Sequence, residues 1–270
     1  MTSITFLGTG GGRFATIYQI RSTGGIYIQD GVNIHLDPGP GALTNMRRLS
    51  LDPARTDAIL VSHCHPDHYV DAEVLIEGMA RGGFKRRGAL VGSRTVIEGE
   101  GNLGPCISGY HQSIPEEVIV VEAGNRFKLG EMKVSATPTV HSDPSGVGFR
   151  FRTSDGDVSY VSDTEIDDDV VDAHRGARVL ILNLTRPLGS RIPKHLSTEE
   201  AAEMVDAIRP KMAILTHFGM KLLHDGVRTQ SRYIEDRTGI RTVPADDLMR
   251  IGIGRTVRMT RRGENGVGGD

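Results

Sequence analysis

The chain has 270 residues, 38% hydrophobic and 24% charged, with 34 glycines, ten histidines, two cysteines and no tryptophan. That length and apolar content suffice for a sizeable core, which excludes disorder, collagen and coiled coil. Thirty-two Lys and Arg against 34 Asp and Glu leave a net charge of −2, so no global field draws the protein to nucleic acid or to an anionic membrane.

In chain order, residues 4–7 read as a strand that closes on Gly8-Thr9-Gly10-Gly11-Gly12. Two short strands then flank Asp30-Gly31, a two-residue hairpin signal. Asp37-Pro38-Gly39 breaks the second strand, and residues 42–49 read as a helix. Ala58-Ile59-Leu60-Val61 is a continuous apolar run, the mark of a strand buried on both faces. It ends in Ser62-His63-Cys64-His65-Pro66-Asp67-His68 and is followed by a predicted helix over residues 69–79. A basic, glycine-laced turn spans residues 81–88, a strand 89–92, and residues 99–113 show no clear period. Strands are expected at 118–121, 126–129, 132–136, 148–152 and 158–161, with a helix over 168–174. A buried strand at 179–182, a helix over 198–208 opened by a Ser197/Glu200 capping box, a strand at 213–215, a helix over 228–237 and closing strands within 248–259 complete the pattern. No linker or composition break divides the chain, so one domain over residues 1–260 and a flexible tail over 261–270 are expected. Strands in runs, with helices after the buried ones, suggest two packed sheets with helices outside. No stretch approaches the ~20 apolar residues that span a bilayer. The first residues lack a basic segment leading into an apolar one, and Cys64 and Cys106 are too few for a disulfide framework. A cytoplasmic protein is therefore expected.

The chemistry concentrates at strand ends. His63 and His65 are two apart where a buried strand stops, so both imidazoles can face one cation. Pro66 forces a turn, and Asp67 and His68 project from the start of the next helix. His141, Asp163, His195 and His217 each lie at or just past the end of an apolar segment. A single strand-end histidine is usually an ordinary polar residue beside a core; this many point to a metal centre. Imidazole and carboxylate donors suit zinc, iron or manganese, and no thiolate is needed.

These residues resemble the metallo-β-lactamase-fold hydrolases. The resemblance runs from Phe6-Leu7-Gly8-Thr9-Gly10 through Leu36-Asp37-Pro38-Gly39 and the His-x-His-x-Asp-His signature to Leu215-Thr216-His217-Phe218-Gly219. It implies an α/β protein, an αββα four-layer sandwich with two mixed sheets, holding two divalent metal ions, zinc being the first expectation. By the same resemblance His63, His65 and His141 hold one metal, Asp67, His68 and His217 the other, and Asp163 bridges. Within the family the chain is similar to the RNase Z-like phosphodiesterase branch, through its opening and through His195-Leu196-Ser197-Thr198-Glu199-Glu200, where the extra histidine serves the reaction. An imidazole beside two metals can pass a proton to a departing oxygen. The tRNA-gripping arm of that branch has no counterpart, since His141 and Asp163 are separated by only 22 positions. The basic loop expected after the first glycine run is replaced by Gly12-Arg13-Phe14-Ala15-Thr16.

The expected activity is thus a dinuclear metal-dependent hydrolase, a phosphodiesterase acting on a small or nucleotide-like diester through a metal-bridging hydroxide oriented by Asp67, with His195 assisting the leaving group. The alternative is a carbonyl hydrolase of the same fold, on a lactone, thioester or β-lactam; a non-hydrolytic di-iron or sensor protein ranks below it. The expected partner is a small anionic substrate, not a large RNA, and the resemblance suggests a homodimer. Arg81, Lys85 and Arg86, with Tyr110 and His111, are candidate substrate contacts, although a solvated turn and an ordinary loop explain them equally well. The glycine run is read as a turn allowing close backbone approach to the metals, with no helix after it. His35 is expected to be structural, His174 and His224 to lie at the surface, and Cys64 to point away from its two histidine neighbours.

Overall fold

The computed structural model describes residues 1–260; the predicted tail lies outside the described residues. Fifteen strands form along the described chain: β1 Thr2–Phe6, β2 Ile26–Gln29, β3 Asn33–Leu36, β4 Ala58–Val61, β5 Ala89–Ser93, β6 Glu117–Val121, β7 Arg126–Leu129, β8 Met132–Pro138, β9 Val147–Thr153, β10 Gly156–Tyr160, β11 Val179–Asn183, β12 Met212–Thr216, β13 Thr242–Pro244, β14 Arg250–Ile253 and β15 Val257–Thr260. They make an eight-stranded sheet, ordered β15-β14-β1-β2-β3-β4-β5-β6, and a seven-stranded sheet, ordered β13-β12-β11-β10-β9-β8-β7. Both are mixed: β3 to β6 and β10 to β13 run parallel, and their neighbours are antiparallel.

Side-chain alternation builds the layers. In β4, Ala58 and Leu60 face the other sheet, where they join Phe149, Phe151 and Ile181 in the central core. Ile59 and Val61 face the opposite way, under helices Ala42–Arg48 and Ala72–Met79. In β11, Val179 and Ile181 point inward while Leu180 and Leu182 lie under helices Asp168–His174 and Thr198–Ile208. An unbroken apolar run is what a strand covered on both faces requires, and the outcome is the expected αββα sandwich. The predicted hairpin forms at β2–β3, and the capping box on Ser197 and Glu200 closes in both directions.

Some elements differ from expectation. Helix Gly12–Tyr18 follows the glycine run directly. It has no side-chain cap, and Phe14, Ile17 and Tyr18 face solvent, so it carries no inward-facing apolar stripe to read. The helix expected over 69–79 is two, Pro66–Tyr69 and Ala72–Met79. Helix Gly109–Gln112 lies in the stretch without period, and Met220–Asp225 was not anticipated. His174 is fully buried, a correction to its expected surface position: with Val170 and Val171 it forms the inward face of its helix. His224 is exposed and His35 is buried against the Gly24 carbonyl at 2.9 Å, as expected.

Candidate metal centre

Strands β4, β10, β11 and β12 end on the same rim of the sandwich, and the segments leaving them carry the polar residues. His63 and His65 follow β4, Asp163 follows β10, and His217 follows β12. Two groups converge there. His63, His65, His141 and Asp163 form one, with donor atoms within 4.8 Å of one another; Asp67, His68 and His217 form the second by the same measure. In the first, His65 Nδ1 lies 3.0 Å from both His63 Nε2 and His141 Nε2. In the second, His217 Nε2 lies 3.0 Å from His68 Nε2 and 3.1 Å from Asp67 Oδ2. Asp163 lies between the groups: its Oδ2 is 3.9 Å from both His141 Nε2 and His68 Nε2, and its Oδ1 is 3.3 Å from His217 Nδ1.

Each ring is held from behind, as metal-ligating imidazoles usually are. Asp37 is the hub. Its carboxylate accepts from Ser62 N–H and Ser62 O–H at 2.7 Å each and from Tyr160 O–H at 2.7 Å, and it lies 2.8 Å from His68 Nδ1. Ser62 Oγ is in turn 2.9 Å from His63 Nδ1. His141 Nδ1 donates to the Lys194 carbonyl at 2.9 Å. Asn183 donates to Asp163 Oδ1 at 2.7 Å, and Gly12 N–H donates to Asp67 Oδ2 at 2.7 Å. The backbone is strained to achieve this: Asp37, Ser162, Lys194 and His217 all have positive φ, 51° to 67°, a conformation non-glycine residues adopt at a cost and mostly at functional sites. Gly11 makes room, because a Cβ there would fall 2.2 Å from the His217 ring. The glycine run therefore provides close backbone approach, as read from the sequence.

The electrostatics favour cation binding. Burial, reinforced by the neighbouring imidazoles His68, His141 and His65, holds His63 well below the ordinary histidine range; His65 and His141 are lowered for the same leading reason. These rings are thereby kept neutral, the form that binds a metal. Burial alone would raise Asp67 and Asp163, but the surrounding histidines hold both carboxyls below their usual range. His68 behaves differently: burial opposes its charge, yet Asp37, Asp67 and Asp163 together carry it up to about 10. The neutral imidazoles of His63, His65 and His141, the ionised carboxylates and the nitrogens converging with their far sides already engaged fit a metal-binding role, and His68 would release its proton to join them.

A family model described as the β-lactamase superfamily domain matches residues 32–218. The chain belongs to this superfamily. It is a metal-dependent hydrolase of the metallo-β-lactamase type, with histidines and aspartates placed to bind metal. An uncharacterized protein of Methanocaldococcus jannaschii is 41% identical over 245 residues, covering 90% of this chain and 91% of that one. A ribonuclease Z of Pyrococcus horikoshii is 29% identical over 161 residues, 57% of this chain and 49% of the relative. Among solved structures, the metallo-β-lactamase-fold protein YhfI of Bacillus subtilis superposes with a TM-score of 0.76 at 19% identity, covering 96% of this chain and 99% of the other.

All seven candidate ligands of this superfamily member thus come together. His195 stands beside them: its Nε2 is 3.6 Å from Asp163 Oδ2, its ring packs edge-on against His141, and its side chain is 22% exposed. The substrate candidates fall elsewhere. Arg81 and Lys85 are exposed, and Arg86 donates to the Pro115 carbonyl at 3.4 Å. Tyr110 faces the same basic turn near Gly83, and His111 is taken up by Glu73 and Glu77 at 3.2 and 3.3 Å. Among the described residues, none of the five bonds to a member of the cluster. Asp37, Tyr160 and Asn183 were not among the residues expected at the site. Asp37 shows the signal that found the others, a carboxylate just past an apolar strand, but the adjoining Pro38-Gly39 reads as a strand breaker.

Proposed function

We propose that the chain is a dinuclear phosphodiesterase acting on a small or nucleotide-like diester. The observation that carries this reading is the pairing of two buried ligand groups across Asp163, with His195 at their exposed edge. His63, His65 and His141 would hold one divalent cation, Asp67, His68 and His217 the other, with Asp163 shared; nitrogen and oxygen donors without thiolate suit zinc. Two such ions would supply Lewis acidity and lower the pKa of water at the site towards ~7. The protein's own part is positional. Asp67, its carboxylate fixed by the Gly12 N–H, would orient an attacking water and take up its proton. His195, whose Nδ1 faces the Pro193 carbonyl at 3.4 Å, would hand a proton from Nε2 to the leaving oxygen.

The likeness to a ribonuclease Z supports phosphodiester chemistry. The segment between His141 and Asp163 supports a small substrate, because β9 and β10 pair tightly across residues 153–156 and leave no protruding arm. The test is a panel: the metal-loaded protein with bis(p-nitrophenyl) phosphate, a lactone and a thioester. Diester turnover that is lost in His195→Ala with metal retained supports the reading. Turnover of the lactone or thioester alone would replace it with the carbonyl-hydrolase alternative.

A further inference from the structure

Cys64 sits between His63 and His65, yet its side chain turns into the apolar layer beside Val96 and Ile107. There it meets the other cysteine of the chain. The Cys106 thiol donates to the Cys64 carbonyl at 3.8 Å, and both side chains border the same apolar cluster. Both are free. Neither is loosely held: Cys64 N–H donates to Asp143 at 2.8 Å, Asp143 also accepts from Thr95 Oγ1 at 2.6 Å, and Cys106 N–H donates to the Val96 carbonyl at 2.9 Å. Cys106 is half-buried and Cys64 buried, so an oxidant in solution reaches Cys106 first.

We propose that Cys64 and Cys106 form a reversible disulfide site that ties the oxidation state of the protein to the position of the His63–His65 loop. The oxidant is a low-molecular-weight disulfide. The Cys106 thiolate attacks one of its sulfurs, forming a mixed disulfide and releasing one thiolate. The Cys64 sulfur, losing its proton, then attacks Cys106 and expels the second. The two protein thiols give up two electrons, the oxidant becomes two thiols, and the two protons end on them. Closure brings the two sulfurs to about 2.05 Å. Because Cys64 lies between two ligand histidines, the backbone that aims both rings must follow, and disturbing what orients metal ligands typically costs about 10–100-fold in metal affinity.

The coupling rests on the metal reading above, whereas the crosslink is observable without any metal, so the two fail separately. The experiment treats the zinc-loaded protein with oxidised glutathione, then counts thiols after denaturation, maps peptides and measures zinc affinity against a chelator. The expected result is joint loss of both thiols, a Cys64–Cys106 linked peptide pair about 2 Da lighter than its reduced parts, and zinc affinity lowered about 10–100-fold, all reversed by dithiothreitol. Cys106→Ser, or Cys106→Ala should that fold better, keeps the Cys64 thiol and full zinc affinity through the same treatment. Cys106 captured as a glutathione mixed disulfide with Cys64 still reduced would overturn the site. A crosslinked protein that binds zinc as before would overturn the coupling.

Discussion

Gly11→Ala tests the architecture of the centre with one methyl group. Gly11 has an extended backbone, φ −161°, which alanine adopts without strain, so any effect comes from space alone. A Cβ there falls 2.2–2.3 Å from three atoms of the His217 ring, where ordinary contact begins at 3.4 Å. Ring and methyl must therefore separate by about 1.2 Å, several times the ±0.2 Å that metal–ligand distances tolerate. The ring has little freedom to retreat, with Thr185 Oγ1 3.3 Å from Nδ1 and His68 and Asp67 at 3.0 and 3.1 Å from Nε2. The group of Asp67, His68 and His217 should lose a ligand, while the group of His63, His65 and His141 keeps all of its own. Metal analysis after dialysis should fall from two ions per chain to one, and diester turnover should drop about 100-fold or more, as misplacement by about 1 Å commonly does. Two metals retained at unchanged affinity, with unchanged turnover, would refute the reasoning.

Asp37→Asn keeps the shape of the hub and removes its charge; chelator competition should show metal affinity lowered about 10–100-fold although every ligand remains. His195→Ala should retain both metals and lose about 100- to 10,000-fold in diester turnover, the usual span for a proton donor, with p-nitrophenol release as the readout. Stability should depend on pH through His174, which burial, with Arg150 nearby, lowers to about 3. The unfolded chain binds a proton near pH ~6.5 that the folded one refuses, so this contribution is complete above that pH and is lost as pH falls towards 3. Between pH 7 and pH 4.5 the loss is roughly 2–3 kcal/mol. Urea midpoints at the two pH values should show a smaller difference in His174→Leu than in the wild type.

Most of the candidate ligands were legible because one rule places them: an apolar run ends and a histidine or aspartate follows, with Asp67 and His68 carried on the helix that opens at Pro66. Just past β4, His63 and His65 turn to the cluster and Cys64 to the apolar layer, the separation that alternate positions predict. The orienting layer was harder to read. Asp37 accepts bonds from Ser62 and Tyr160 and pairs with His68 Nδ1, partners up to 123 positions away, which no local window contains. Short helices escaped for a different reason: segments of four to seven residues are held by tertiary contacts and carry too few turns for a period to emerge. Helix Gly12–Tyr18 is the clearest case, anchored by the Gly12 N–H bond to Asp67 while its apolar side chains face out. His174 was legible after all, since Val170, Val171 and His174 share one helical face.

The most direct test titrates the metal-stripped protein with zinc while following bis(p-nitrophenyl) phosphate hydrolysis. Activity absent in the stripped protein, rising to a plateau at two ions per chain and absent throughout in His65→Ala, is the predicted result. Diester turnover by the stripped protein, or by His65→Ala without bound metal, would contradict the account.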